Sequence, residues 1–413
     1  MTVQPDTSPV GTAPGAQESL SISWQKPTGM VALSFVNAFL KIVTLGVYHF
    51  CAKTEVRKRI WSAIRINGEP MWDTGRGMEL FLGFVIVILL IFLPMSLAIA
   101  GLVLAFGPTH IVQNIVITAA YVALAVLFPI AIYRAILYRL ARTSWRGLRG
   151  SLEGKPLFYA WTFIRTLLLI PLTLGWIIPR RTTKLQSIIS NNMHFGNRRL
   201  RFDATSGALY GPFAALYLGT GLIYLVGFSF IGPYLLERIM IAQRTGVQWQ
   251  PNATDIASFL LILLFAGLLF ALMSAWYQAR TINHFANHTQ FENARFSGNA
   301  TAGGLIWLTI SNWFILLIGA VLFAGVAAGI SAPFIYLADV RAPETAIAMQ
   351  IVFFAFIIGF TLFTPIVQAR TAGYMVRHLS ISGTAPLSEI EQSAGANVRY
   401  AEGLAEAFDV DAF

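Results

Sequence analysis

Leu80-Phe81-Leu82-Gly83-Phe84-Val85-Ile86-Val87-Ile88-Leu89-Leu90-Ile91-Phe92-Leu93 opens an apolar stretch, 78–104, with no charged side chain after Glu79. A bilayer core takes about 20 apolar residues to cross as a helix, because each residue rises only about 1.5 Å. Five further stretches are as long and as apolar: 111–138, 207–231, 254–277, 303–330 and 345–367. Hydrophobic residues make up 56% of the 413-residue chain and charged residues 12%, with a mean hydropathy of +0.64. A soluble domain carries about 25% charge. These values exclude a cytosolic globular protein, a disordered chain and a fibrous one, and point to an all-α polytopic membrane protein.

Two further apolar stretches, 31–50 and 157–178, are less regular. The first holds Lys41 and Gly46, the second Arg165, Pro171 and Gly175. Charge decides how they are read. Three loops, near 105–110, 232–253 and 331–344, contain only Arg238, Arg244 and Arg341 of the 29 basic residues. The segments 51–77, 139–156, 179–206, 278–302 and 368–413 hold most of the others. Basic residues mark the cytoplasmic side, so all five belong there. A full crossing at 157–178 would place six basic residues of 179–206 outside. The two irregular stretches are therefore expected to re-enter or to lie along the interface, with both termini cytoplasmic. The runner-up topology has eight full spans and a poor charge bias.

The six spans pair into three hairpins, near 78–138, 207–277 and 303–367, within a membrane domain over 30–383. The pattern repeats weakly. Thr44-Leu45-Gly46-Val47 recurs as Thr173-Leu174-Gly175-Trp176, and a basic residue plus Thr follows as Lys53-Thr54, Arg181-Thr182, Arg280-Thr281 and Arg370-Thr371. The Thr is expected to cap the helix that follows. Alternating Phe, Leu and polar residues at 192–202 and 287–296 suggest short strands or β-hairpins in small cytoplasmic flaps. Residues 1–29 read as a disordered tail, and 384–413 as an acidic one. From Ala385 on, Glu389, Glu391, Glu402, Glu406, Asp409 and Asp411 face only Arg399, a net of −5. Leu404, Phe408 and Val410 form one apolar edge if that tail is helical, and it is expected to dock on the chain's own basic flaps.

The run Phe39 to Gly75, with Thr44-Leu45-Gly46-Val47-Tyr48, Ala52-Lys53, Arg57-Lys58-Arg59, Trp61 and Gly68, resembles the YjgN-like family of bacterial inner-membrane proteins. So do Leu172 to Gly207, Ser144-Trp145-Arg146-Gly147 and the final Ala401 to Val410. The second copy departs from the first, with Pro179 where the first has Phe50. The resemblance implies a bacterial inner-membrane location and supplies no activity or catalytic residue.

Candidate chemistry is sparse. The net charge of +10 is explained by loops meeting anionic headgroups, and no nucleic-acid partner is called for. Arg57, Lys58, Arg59, Arg142, Arg146, Arg149, Arg180 and Arg181 are candidates for an anion or lipid headgroup. His284, His288 and Glu292 would share one face of a helix and could hold zinc there, although the segment also reads as loop or strand. His49, His194 and His378 lie on the same side. The lone Cys51 excludes an internal disulfide. No phosphate loop, nucleophile arrangement or cofactor motif is legible. The spans lack the carboxylates that a proton- or sodium-coupled pump uses. The expectation is a non-enzymatic scaffold or subunit working through flaps, lipid, and a membrane-protein partner or a second copy. The alternative is a transporter or channel between the hairpins.

Overall fold

The computed structural model describes residues 17–107, 111–246, 253–337 and 343–392. It is mostly helical, and six helices are long and apolar enough to cross a membrane. In chain order, strands β1 (Glu18–Ser19) and β2 (Ile22–Trp24) precede helices α1 (Met30–Val43) and α2 (His49–Ala63) and strands β3 (Ile64–Ile66), β4 (Glu69–Pro70) and β5 (Trp72–Asp73). Helix α3 (Gly77–Val87) runs through a π-helical turn, Ile88–Phe92, into α4 (Leu93–Phe106). Pro94 explains that turn, because it has no N–H for the preceding carbonyls and the ladder slips by a residue. Helix α5 (Ile111–Arg142) returns and leads into β6 (Thr143–Trp145) and β7 (Leu148–Leu152). Next come α6 (Pro156–Leu172), α7 (Ile178–Ser190), β8 (Met193–Phe195) and β9 (Arg198–Phe202). The pair α8 (Gly207–Thr245) and α9 (Ala253–Asn287) is followed by β10 (Thr289–Phe291) and β11 (Ala294–Gly298). The last elements are α10 (Ala302–Leu337), α11 (Pro343–Leu362), α12 (Thr364–Arg377), β12 (Leu379–Ser382) and β13 (Thr384–Ala385).

The strands do not stay in separate flaps, as the sequence suggested. Eight of them form one antiparallel sheet in the order β12-β11-β10-β9-β8-β7-β6-β5. Beyond β12 the chain passes Gly383 into β13, which pairs with β1; β2 pairs with β3, and β3 with β4. Met71 then joins β4 to β5, so the strand order returns to its start and makes a ring. Such closure leaves no long unpaired edge. Gly383 is required at its joint, since a Cβ there would strike the Asn293 carbonyl oxygen and its φ is +114°. Two hairpin loops, Asn67-Gly68 and Arg146-Gly147, have positive φ at both residues, the type I′ geometry that matches strand twist.

The tail expected over 1–29 is therefore shorter than its composition suggested. Within it, β1 and β2 are ring strands and Leu20 is buried in the ring core. Residues 1–16 lie outside the described residues, as does the apolar edge Leu404, Phe408, Val410.

Buried side chains concentrate at the ring end of the helices. Tyr133, Tyr159, Leu185 and Ile188 join α5, α6 and α7; Met30, Leu33, Val56 and Ile60 join α1 to α2. The two Thr-Leu-Gly turns share their left-handed residues: φ is 50° and 91° at Leu45 and Gly46, and 49° and 85° at Leu174 and Gly175. In both, the Thr hydroxyl donates to the carbonyl four residues back and accepts a backbone N–H from four residues ahead. The Thr of the basic-Thr pairs does not cap the next helix. Thr54, Thr182, Thr281 and Thr371 lie inside helices, and each hydroxyl donates to its own i−4 carbonyl.

Candidate functional site

The ring interior is built by alternation. In β9, Leu200 and Phe202 turn one way while Arg199 and Arg201 are exposed; in β11, Ala294 and Phe296 are inward and Arg295 outward. Trp145, Phe291, Ala294, Ala385, Leu387 and Ile390 make one buried cluster, against which Phe195, Leu200 and Ile381 pack. Phe195 stands 5.8 Å from Trp145 and 6.2 Å from Phe291, ring to ring. A cavity of about 230 Å³ remains, with walls from nine of the strands. The pairing register aligns Arg201, Gln290 and Arg295 across the outer face. The segment after β13 crosses this ring: Glu389 pairs with Arg198 at 3.3 Å, Gln392 accepts the Arg149 backbone N–H at 2.7 Å, and Ile390 is buried.

The eight cations singled out from the sequence do not gather into one anion site. Arg57 Nε donates to Asp73 Oδ2 at 2.8 Å, and the Asp73 side chain is 1% exposed. Arg142 pairs with Glu79 at 2.7 Å. Both guanidiniums stand 5.6 Å from the Tyr138 ring, and the Tyr138 hydroxyl donates to Glu79. This knot ties α2, β5, α3 and α5 at the ring end. Removing one member of such a pair strands a charge, which costs several kcal/mol. Arg146 bridges Glu18 at 2.8 Å and Glu69 at 3.0 Å and lies over Trp145, so it clamps β1 to the hairpins. Arg59 donates to the Thr28 carbonyl. Lys58 faces Glu55 at 3.6 Å on an exposed surface. Arg181 lies 4.3 Å from the Phe163 ring, and burial draws its pKa below the ordinary arginine value. Arg180 is exposed.

The trio His284, His288 and Glu292 does not share a helix face, because α9 ends at Asn287 and Glu292 sits in the β10–β11 turn at φ +52°. His284 Nε2 is 2.8 Å from the Thr205 carbonyl, His288 Nδ1 is 2.8 Å from the His284 carbonyl, and Glu292 is 3.9 Å from Arg198. His194 reaches toward Glu153 at 3.7 Å, and His378 bonds the Tyr374 carbonyl. Among the described residues no group of three or more His, Cys, Asp or Glu is placed to hold a metal ion.

Two polar groupings lay beyond the sequence reading, which named Arg370 and Thr371 only as a basic-Thr pair. Arg370 donates to Asn312 at 3.0 Å and Ser311 at 2.6 Å, and Asn312 donates to Thr371, joining α12 to α10. Asn37 on α1 is 2% exposed, and neither side-chain atom has a hydrogen-bond partner. Nothing in the periodicity of either helix distinguishes these residues from ordinary spacers.

No curated protein and no solved structure matches the chain. A family of bacterial proteins of unknown function, DUF898, matches residues 28–407. Its span takes in every ring strand from β3 to β13 and all twelve helices. The chain belongs to this bacterial family, the one to which its YjgN-like motifs pointed.

Proposed function

We propose that the protein is a multi-pass scaffold of the bacterial inner membrane, non-enzymatic, with both termini and the β-ring in the cytoplasm. The observation that carries this reading is the ring itself. Each of the five basic segments contributes strands to it, so six apolar helices are gathered under one rigid platform. A basic outer face of Arg199, Arg201 and Arg295 suits acidic partners or anionic headgroups. The positive-inside bias supports the orientation.

In this reading the pairs α1–α2 and α6–α7 are re-entrant or interfacial, and the three long pairs are repeats of one hairpin. Helix α1 has 14 residues and α6 has 17, about 21 and 26 Å of rise, short of a core about 30 Å thick. Leu45 is 95% exposed at the tip of one turn and Leu174 76% at the other, apolar points suited to lipid. A transporter is the second reading, favoured by one observation: the most apolar stretches of α8 and α9 have no buried residue. That pair could border a lipid or solute path.

Native mass spectrometry in mild detergent separates the two. A protein partner or second copy held at fixed stoichiometry, and released by Arg199→Glu with Arg201→Glu, is the result expected of a scaffold. A retained solute and no protein partner overturns it.

A further inference from the structure

We infer that the pocket between α1 and the α11–α12 junction binds a phosphate that carries a hydroxyl-bearing headgroup, as in an anionic glycerophospholipid. The pocket holds about 210 Å³ and is lined by Ser34, Asn37, Lys41, Ile358, Thr361 and Pro365, among others. Its polar groups divide into used and unused. The Ser34 hydroxyl donates to the Met30 carbonyl, and the Thr361 hydroxyl to that of Ile358. Asn37 is 2% exposed, and its amide has neither donor nor acceptor satisfied. Lys41 lies four residues on and hence on the same helix face; its carbonyl accepts the Gly46 N–H, and its ammonium makes no ion pair or hydrogen bond among the described residues.

A buried amide with no partner is left without the hydrogen bonds that water would give it, so an occupant that satisfies it is favoured. The unused groups define that occupant. The Lys41 ammonium and the Asn37 Nδ2 amine are donors and suit phosphate oxygens. The Asn37 Oδ1 atom is an acceptor and needs a hydroxyl donor. Pro365 has no N–H, so the Thr361 carbonyl loses its helical donor and offers a second acceptor. The apolar half of the wall, Ile42, Ile358 and Leu362, suits the start of an acyl chain.

The depth is also right, given the membrane placement proposed above. Helix α11 has 20 residues, about 30 Å, the thickness of a bilayer core, so a crossing along α11 places Leu362 at its ring-side boundary. Phosphates lie at that level.

The test titrates delipidated full-length protein in mild detergent with phosphatidylglycerol, with phosphatidylcholine of matched chains, and with glycerol 3-phosphate, read by native mass spectrometry. One phosphatidylglycerol per chain is expected, about tenfold tighter than phosphatidylcholine, and weakened about tenfold by Lys41→Ala and by Asn37→Leu. Lys184→Ala, an exposed cation of α7, leaves it unchanged. Equal binding of glycerol 3-phosphate with the same variant dependence keeps the chemistry and names a soluble phosphate as its source. Adducts with no headgroup preference, or unaltered in both variants, overturn the proposal. A second reading guards against misfolding. Asn37→Leu removes an unsatisfied buried group and is expected to melt higher while losing the lipid; a lower melting temperature with lipid binding intact overturns the assignment. No protein partner and no bilayer enters this titration, so the scaffold reading and the pocket fail separately.

Discussion

The pairs α10–α11 and α8–α9 are both neighbouring apolar helices, yet they meet in different ways. Between α10 and α11 the backbones touch: a Cβ added at Gly319 would collide with the Gly359 carbonyl oxygen, and one at Gly359 with that of Gly319. Ala320 and Ala327 of α10 and Ala348 of α11 are buried as well. Between α8 and α9 no backbone meets backbone in this way: a Cβ added at Gly219 would meet the flexible end of the Met273 side chain, one at Gly227 would stand 3.6 Å from Ile262, and Gly221 and Gly267 face open space. Hydropathy does not separate the pairs, since each contains two stretches long and apolar enough to cross a membrane. In lipid the hydrophobic effect gives helices little reason to associate, so small residues in register decide which pair closes. The ring then holds the ends of the pair that does not close.

The largest expected effect breaks the closed pair. Gly319→Leu forces backbone apart from backbone and is expected to abolish the folded, monodisperse species in detergent. Gly227→Leu in the open pair is expected to leave the melting temperature within about 2 °C. A similar loss in both variants, measured by tryptophan fluorescence on heating, would contradict the contrast.

Next in size is the ring. Phe291→Ala empties the centre of its cluster and should cost about 3–5 kcal/mol, read as faster amide exchange across β9, β10 and β11. Leu264→Ala, in the open pair and 71% exposed, should change detergent stability by less than about 0.5 kcal/mol. Asp73→Ala leaves the Arg57 guanidinium unpaired in the knot below the ring and should cost about 3 kcal/mol in chemical denaturation. The smaller effect is at the rim. Arg146→Ala releases Glu18 and Glu69 and should cost about 1 kcal/mol, since both pairs are partly exposed, with faster exchange confined to β1 and β3–β4. Exchange spreading through the whole ring would mean that Arg146 holds the closure itself.

The six spans were legible because twenty apolar residues in a row have few other solutions. The strands at 192–202 and 287–296 were legible from alternation. The hairpin at Asn67-Gly68 carried the strongest turn signal in the chain and was overlooked, because its strands are only two or three residues long. Arg146-Gly147 could not be read as a turn at all. Arginine tolerates the left-handed region poorly, and here its contacts to Glu18, Glu69 and Trp145 hold it there. The arginine clusters were read as one class of lipid-facing cations. Neighbours distant in sequence divide them: Asp73 and Glu79 take Arg57 and Arg142 inward, Glu18 and Glu69 hold Arg146 at the rim, and Arg180 stays exposed.

Composition and periodicity by themselves determined the solvent, the number of long apolar helices and the segregation of basic residues to one set of loops. These are one-dimensional properties, set by bilayer thickness and by the cost of charge in hydrocarbon. Tertiary structure alone decided that the loops join into a ring, which helix pair closes, and that Asn37 is buried without a partner. Each of those depends on which surfaces meet, and a chain pattern shared by many interchangeable apolar helices does not encode that choice locally.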